Sequence, residues 1–276
     1  MEKLNFITAG MPLKTNPKLG YQDAFNVLKD LNLDGLEMEF VHGVRFSDKN
    51  AQLVADAIKK GFIVTAHGPY YINLNSEEQE KIEASKTRIK DTARTAYSVG
   101  GYSITFHAAF YMKKDEKTVF NQVLTSMQEI VSDLKSEGVN IWIRPETTGK
   151  KTQWGDLDEI IQLSKEVDMV LPCVDFSHLH ARHNGIYYTY DEFAKILDTI
   201  GTQLGQNALD NFHGHLAGIA YSEKGEKNHL VLEESDMNYK DLLKALKDFN
   251  VKGAIVCESH NIEDDCKLIK AYYESL

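Results

Sequence analysis

The sequence of 276 residues predicts an α/β fold, a single (β/α)8 TIM barrel that occupies residues 1–276. Three observations favour this fold. Apolar strand-like segments alternate eight times with amphipathic helical ones, the length is typical of one barrel, and no Pro/Gly/Ser-rich linker divides the chain. No glycine-rich phosphate loop follows any apolar segment, which counts against an open nucleotide-binding sheet.

The predicted strands are short apolar runs that end at turn residues or polar side chains. They comprise residues 4–8, 36–40, 62–67, 103–107, 139–146, 171–178, 211–216 and 253–258. The predicted helices have apolar residues at helical spacing. They comprise residues 21–31, 51–60, 76–99, 116–137, a segment from near 156, and residues 190–202, 239–249 and 262–274. Ser76 with Gln79 has the capping-box pattern, so we expect the third helix to begin at Ser76.

Composition excludes several classes of protein. No apolar run is long enough to cross a membrane and no signal peptide follows Met1, so we expect a cytoplasmic protein. Three cysteines without a CxxC pair indicate neither a disulfide framework nor a thiolate zinc site; Cys173 and Cys257 lie in apolar runs and are expected in the core. A net charge of −10 argues against broad attachment to nucleic acid, although a local basic or metal-lined groove is compatible with it.

Six metal-ligand-type side chains occupy one topological position. Each lies at or just beyond the carboxyl end of a predicted strand, from the third strand to the eighth: His67, His107, Glu146, Asp175, His215 and Glu258. In a barrel these ends surround one mouth, where active sites lie. Without a cation, so many packed acids would repel one another, so the pattern predicts a metal site.

Each of these residues also has an ordinary interpretation. A histidine after a strand is commonly a loop donor, and Asp175 alone would cap the following turn beside a surface His178. Six unrelated loop roles in succession are harder to accept than one shared site. Histidine and carboxylate suit zinc, manganese or iron, and six ligands exceed one tetrahedral zinc, which predicts two or more metals. Glu146, in the middle of the series, is the natural bridging ligand.

Six motifs, in order along the whole chain, together resemble endonuclease IV, the family 2 apurinic/apyrimidinic endonucleases of the xylose isomerase-like TIM barrel superfamily. They lie at residues 67–74 (HGPYYINL), 106–107 (FH), 145–149 (PETTG), 174–178 (VDFSH), 214–216 (GHL) and 257–258 (CE). The resemblance implies a zinc-dependent monomeric barrel that cleaves damaged double-stranded DNA 5′ to an abasic site. Manganese is a possible alternative metal.

The resemblance also implies roles for the ligands. His67, His107 and Glu146 would hold one zinc. Glu146 would be shared with a second zinc, which is completed by Asp175, His215 and Glu258. Glu258 would in addition be the base that orients the attacking water.

A third zinc of the family is implied at His178 and His229, but the sequence departs from the pattern there. The family has Asp-x-His, whereas this chain has Lys227-Asn228-His229. A charged lysine repels a cation, which leaves Glu226 as a substitute if the loop shifts.

Tyr70 and Arg45 lie where the family inserts an aromatic residue and an arginine into the duplex. The alternatives are a loop aromatic that covers the mouth and a solvated charge. Further phosphate contacts are expected from charged loop residues, and other imidazoles are expected at the surface or behind the ligands. The charged residues are Lys113, Lys114, Lys150, Lys151 and Arg182, and the imidazoles are His180, His183 and His213.

Two other functions are compatible with the pattern. A sugar isomerase or epimerase on the same barrel would need one metal, for which Glu146, Asp175, His215 and Glu258 suffice, but would leave His67, His107 and His178 unexplained. A DNA-damage binder that does not cleave is the other. Metal content separates the first from a nuclease, because about one metal per chain favours the isomerase and two or three favour the nuclease.

Overall fold

The fold is the predicted α/β barrel. A computed structural model describes residues 1–276, and its main sheet contains eight parallel strands. The two outer strands of the ladder are joined by bridges between Ile143 and Val170 and between Glu146 and Cys173, which closes the sheet on itself. The carboxyl ends of all eight strands therefore surround one mouth.

The barrel strands are separated by helices and by four short strands outside the barrel. The barrel strands are β1 (Leu4–Ala9), β2 (Gly35–Glu39), β3 (Ile63–His67), β4 (Ser103–Phe106), β6 (Trp142–Pro145), β8 (Val174–Asp175), β9 (Phe212–Leu216) and β12 (Gly253–Cys257). The others form two antiparallel pairs, β5 (Ala109–Phe110) with β7 (Gln153–Trp154), and β10 (Gly218–Ser222) with β11 (Gly225–Leu230).

Ten α-helices and one 3-10 helix connect the strands. The α-helices are α1 (Tyr21–Asp30), α2 (Asp48–Lys59), α3 (Gln79–Val99), α4 (Glu116–Ser136), α5 (Leu157–Glu166), α6 (Phe176–Arg182), α7 (Tyr190–Leu204), α8 (Gln206–Asp210), α9 (Tyr239–Asp248) and α10 (Glu263–Ser275), and the 3-10 helix is Leu232–Glu234. None combines the length and apolar character needed to cross a bilayer.

The apolar core lies mainly between the strands and the surrounding helices, where 62 buried residues form one cluster. Inside the barrel, Ile7, Ala254 and Val256 form a separate apolar cluster on β1 and β12. Cys173 and Cys257 are fully buried, as predicted. The other side of the interior is polar, and this asymmetry positions the functional groups described below.

Four predicted elements have a boundary that is wrong by three residues. α2 begins at Asp48 and not at residue 51, and β6 begins at Trp142 and not at residue 139. α3 begins at Gln79, and Ser76 accepts a hydrogen bond from the Glu78 amide in the preceding turn instead of capping the helix. The sixth predicted strand, residues 171–178, is ordered as a strand only at Val174–Asp175. The chain enters α6 directly afterwards, because the Asp175 side chain caps that helix by accepting from the His178 amide at 2.7 Å.

Candidate metal centre

The predicted side chains meet around Glu146, which is 1% exposed and follows β6. Its Oε2 lies 3.1 Å from Nε2 of His67, and its Oε1 lies 3.1 Å from Nε2 of His107. The same Oε1 is 3.1 Å from Nδ1 of His178 and 3.6 Å from Nδ1 of His215. One carboxylate thus contacts imidazoles from four elements, the geometry expected of a bridging ligand.

His67, His107 and Glu146 form the first ligand group, with one ligand atom from each lying within 4.8 Å of the others. His67 is held in position by its own loop, because its Nδ1 hydrogen-bonds the Gly68 carbonyl at 2.8 Å. A donor bond from Nδ1 directs Nε2 toward Glu146, and Nε2 carries the lone pair once the ring loses its second proton. The ring is therefore oriented as a metal ligand.

Glu146, Asp175, His215 and Glu258 form the second group within the same distance limit. Four buried atoms of this group have no hydrogen-bond partner: Oδ2 of Asp175, both ring nitrogens of His215 and Oε2 of Glu258. Asp175 uses its other oxygen to cap α6, so helix capping and metal binding can be shared between its two oxygens. Buried polar atoms without partners are costly, and a divalent cation would satisfy Oδ2 of Asp175, Nδ1 of His215 and Oε2 of Glu258 together.

His178 and His229 approach each other at the edge of this cluster, where their Nε2 atoms are 3.3 Å apart. Nδ1 of His178 is hydrogen-bonded to the Thr147 carbonyl at 3.0 Å, so its Nε2 is free to bind a ligand. Oε2 of Glu226 lies 3.7 Å from that same Nε2. Two nitrogens on one tetrahedral zinc, each about 2.0–2.1 Å from the ion, are about 3.3–3.4 Å apart. The three residues therefore fit a third zinc.

A β-bulge explains why Glu226 takes this place. β10 and β11 pair Ile219 with His229 and Ala220 with Asn228, but Tyr221 pairs with Glu226, so Lys227 has no partner in the ladder. The extra residue shifts the alternation of the strand by one position. Glu226 thereby lies on the face of His229, while Lys227 is exposed to solvent.

The charges of the cluster shift several pKa values strongly. Burial alone would lower the pKa of His67, but the hydrogen bond and charge of Glu146 raise it to about 10. Burial opposes ionisation of Glu146, but the charges of His107 and His215 hold its pKa well below its usual range. In the absence of metal, protons on the imidazoles thus balance the carboxylates, and a bound cation would replace them.

Comparison with known proteins gives the family. The family model described as xylose isomerase-like TIM barrel matches residues 25–275. The chain belongs to this family. An uncharacterised protein of Methanocaldococcus jannaschii is 41% identical over 273 residues, which cover 99% of this chain and 98% of that protein. The predicted resemblance to this superfamily is confirmed.

More distant relatives of this xylose isomerase-like barrel are named for two different activities, endonuclease and epimerase. An apurinic-apyrimidinic endonuclease of Caenorhabditis elegans is 27% identical over 155 residues, 54% of this chain and 38% of that protein. Endonuclease IV from Thermus thermophilus has the same fold, with a TM-score of 0.70 and 18% identity over 98% of this chain and all of the other. A D-tagatose 3-epimerase-like protein has a TM-score of 0.73 and 19% identity, with 98% of both chains covered.

The mouth of this xylose isomerase-like barrel opens into a cavity of about 320 Å³. It is lined by ligand residues from all three groups and by one aromatic residue: His67, Tyr70, His107, Glu146, His178, Glu226, His229, Glu258 and His260. His260, which is exposed two residues after Glu258, is a cavity residue that was not predicted from the sequence. The only sequence feature that could have indicated it is its place in Glu258-Ser259-His260, two residues after a predicted ligand.

Three further charged or titratable groups lie next to the ligands. Glu37 and Glu39 lie on β2 and were also missed, although two carboxylates at alternate positions of an apolar strand are unusual. Burial raises the pKa of Glu39 to about 8, and His67 partly offsets this effect. His213 is fully buried inside the barrel next to His215, so of its two predicted locations, at the surface or behind the ligands, the second is correct.

The predicted DNA-contact residues have different environments. Tyr70 is 62% exposed at the cavity and its ring centroid is 6.0 Å from that of His67. Arg45 is exposed. The prediction that Arg182 contacts phosphate is wrong, because this side chain is 5% exposed and donates hydrogen bonds to Asp156 and to three other oxygen atoms.

The four lysines that were predicted to contact phosphate are all exposed: Lys113, Lys114, Lys150 and Lys151. The two remaining imidazoles lie beside carboxylates, His180 beside Asp236 and His183 beside Asp156.

Proposed function

We propose that this protein is a zinc-dependent endonuclease of the endonuclease IV type, which hydrolyses the DNA phosphodiester 5′ to an abasic site. The observation that carries the proposal is the number of ligand groups. His67 with His107 and His178 with His229 belong to two groups beside that of Glu146, Asp175, His215 and Glu258. An enzyme that uses a single metal has no need of the first two groups. The distant relation to an apurinic-apyrimidinic endonuclease supports the same proposal.

The ligands divide among three metals. His67, His107 and Glu146 would hold the first, and Glu146, Asp175, His215 and Glu258 the second. Zinc suits these imidazole and carboxylate donors, and manganese is a possible alternative. When bound, the ions would neutralise the phosphate oxygens, lower the pKa of a water molecule and stabilise the leaving oxygen.

Glu258 is the residue that we assign to orient the attacking water and accept its proton. It lies at the cavity, and its Oε2 has no hydrogen-bond partner in the protein. In metal-free protein, burial opposes its ionisation, but the charge of His215 lowers the pKa of Glu258 to about 2. In the loaded enzyme the metals would take the place of that charge and keep the carboxylate ionised. An ionised carboxylate can accept a proton, whereas a protonated one cannot.

The third metal is assigned to His178, His229 and Glu226. Support comes from the 3.3 Å separation of the two Nε2 atoms and from the bulge at Lys227. Glu226 would replace the aspartate that the resemblance leads one to expect two residues before His229. The lysine at that position would not repel the cation, because it is exposed.

Damaged double-stranded DNA is the proposed partner of a monomeric enzyme. A cavity of about 320 Å³ can receive an extruded sugar-phosphate but not a long stretch of duplex. Tyr70 and Arg45 are exposed, as residues inserted into DNA must be. Because the chain carries a net charge of −10, attraction of DNA would depend on the metals and on the exposed lysines of the mouth loops.

The test uses metal-loaded protein and a duplex that contains one abasic-site analogue. We expect two or three metals per chain by elemental analysis, and one cut 5′ to the lesion that a chelator abolishes and added zinc restores. An undamaged duplex of the same sequence is the substrate control. Binding of the damaged duplex without any cut would indicate a non-cleaving damage binder and overturn the nuclease.

A sugar isomerase or epimerase is the second candidate. The observation that favours it is the compact group of Glu146, Asp175, His215 and Glu258, which suffices for one metal between carboxylates. About one metal per chain, interconversion of ketohexose epimers and intact abasic DNA would together support it over the nuclease.

A further inference from the structure

A polar layer lies inside the barrel beneath the second metal group, and Glu37 is at its centre. This glutamate is fully buried on β2. Its Oε2 accepts a hydrogen bond of 2.6 Å from the Thr65 hydroxyl and lies 3.1 Å from Nε2 of His213. Its Oε1 lies 3.2 Å from Nε2 of His215, at ion-pair distance, and neither of these two buried atoms has a hydrogen-bond partner elsewhere in the protein. Glu37 therefore contacts a proposed metal ligand from the side opposite the metal.

The two nitrogens of His215 have different surroundings. Nδ1 faces the ligand carboxylates, at 3.3 Å from Glu258 and 3.6 Å from Glu146. Nε2 faces only Glu37 among the carboxylates within 4.0 Å. Only the nitrogen without a proton can bind a metal, so His215 is a competent ligand when its proton is on Nε2.

The ion-pair contacts of Glu37 are with His213 and His215 only, and none is with a lysine or an arginine. A buried carboxylate is expensive unless donors or cations surround it. Its orientation is maintained from the far side of the barrel, where Nδ1 of His213 is 2.8 Å from the Ser103 hydroxyl. β4 and β9 are not neighbours in the sheet, so this contact crosses the barrel interior.

We propose that Glu37 is a positioning residue for the second metal: it holds the proton of His215 on Nε2 and so presents Nδ1 to the ion. Ser103, His213 and Thr65 keep the carboxylate in place for this task. The inference rests on the metal centre of the proposed function, but not on DNA as the substrate. Groups behind a ligating histidine typically change metal affinity by about 10–100-fold when they are removed.

The test compares Glu37→Gln with wild type and with Thr65→Val, which removes one neutral hydrogen bond but leaves the carboxylate. Affinity for each equivalent of zinc is measured by chelator competition. We expect Glu37→Gln to weaken one equivalent by about 10–100-fold, and Thr65→Val to change it by less than about threefold. Equal affinities in Glu37→Gln and wild type would overturn the proposal.

A second measurement locates the ring proton of His215 directly. It uses wild-type protein, so it does not depend on whether a variant folds. In zinc-loaded wild-type protein with ¹⁵N-labelled histidine, the ring signals of His215 should show a proton on Nε2 and none on Nδ1. A proton on Nδ1 would overturn the proposal. Neither readout involves DNA, so a protein that passes both tests but leaves abasic DNA intact would refute the proposed nuclease and not the role of Glu37.

Discussion

Nε2 of His178 and Nε2 of His229 face each other at 3.3 Å. Two bare nitrogens repel at this distance, so the contact requires a proton or a cation between them. Nδ1 of His178 is already bonded to the Thr147 carbonyl, which directs the lone pair of the ring toward His229. With Glu226 at 3.7 Å, a cation at this point would have three protein ligands.

Glu226→Gln should remove the third metal selectively. An amide is a poor ligand for zinc compared with a carboxylate, so we expect the third equivalent to bind at least about tenfold more weakly, with the first two unchanged. Elemental analysis after dialysis against a weak chelator measures this. Glu223→Gln, at the exposed turn of the same hairpin, is the matched control.

Lys227→Ala tests whether the lysine next to Glu226 influences the third metal. Because Lys227 is exposed at the bulge, its removal should leave the third equivalent unchanged. A marked gain in affinity on this substitution would mean that the lysine does face the cation and that the bulge argument is wrong.

The sequence predicts those site residues that lie at the end of an apolar run, but not those whose position depends on how the strands pair. His67, His107 and Glu146 each follow an apolar run, so their convergence could be inferred from barrel topology alone. Glu37 could not be assigned in this way, because strand alternation does not say which face points into the barrel and which toward the helices. The register of Glu226 depends on a bulge, which only the pairing of β10 with β11 reveals.

Metal binding should release protons in a pH-dependent way. Glu146 raises the pKa of His67 to about 10, so the ring is protonated at pH 7.5 and must lose a proton to bind a metal. Metal binding should therefore release about one proton from this residue and tighten as the pH rises. Because this folded-state pKa exceeds the reference value of 6.5, the protonated ring stabilises metal-free protein below pH 6.5 and the effect is lost as the pH rises to about 10. Calorimetry in two buffers of different ionisation enthalpy measures the protons, and a heat independent of buffer would contradict the prediction.

Glu146→Ala should abolish cleavage and the binding of the first two metals. The substitution removes the carboxylate common to the first two groups and leaves buried imidazoles without their partner. Loss of one partner of a buried ion pair costs about 3–5 kcal/mol, so the free energy of unfolding of metal-free protein should fall by about that amount near neutral pH. Urea denaturation measures it, and unchanged stability would show that these contacts contribute little.

Glu258→Gln should separate metal content from chemistry. The amide cannot accept a proton from water, so cleavage should fall by about 10²–10⁴-fold. At saturating zinc the metal content should remain near that of wild type, because Glu146, Asp175 and His215 remain in the second group. The exposed Glu234→Gln is the matched control. Strand scission by Glu258→Gln at the wild-type rate would remove Glu258 from its assigned role.

Tyr70 and Tyr71 offer a matched test of DNA recognition. Both are exposed, at 62% and 59%, but only Tyr70 lines the cavity. Stacking of a base on an aromatic ring contributes about 1–3 kcal/mol, so Tyr70→Ala should weaken binding of an abasic duplex by roughly 5- to 150-fold. Tyr71→Ala should change it by less than about twofold.

Fluorescence anisotropy measures this binding, with both substitutions made in the Glu258→Gln background so that the duplex stays intact. The loss in Tyr70→Ala should be larger for the abasic duplex than for an undamaged one, because only the gap left by the missing base admits the ring. Equal losses for both duplexes, or for both tyrosines, would show that Tyr70 covers the mouth without entering the DNA.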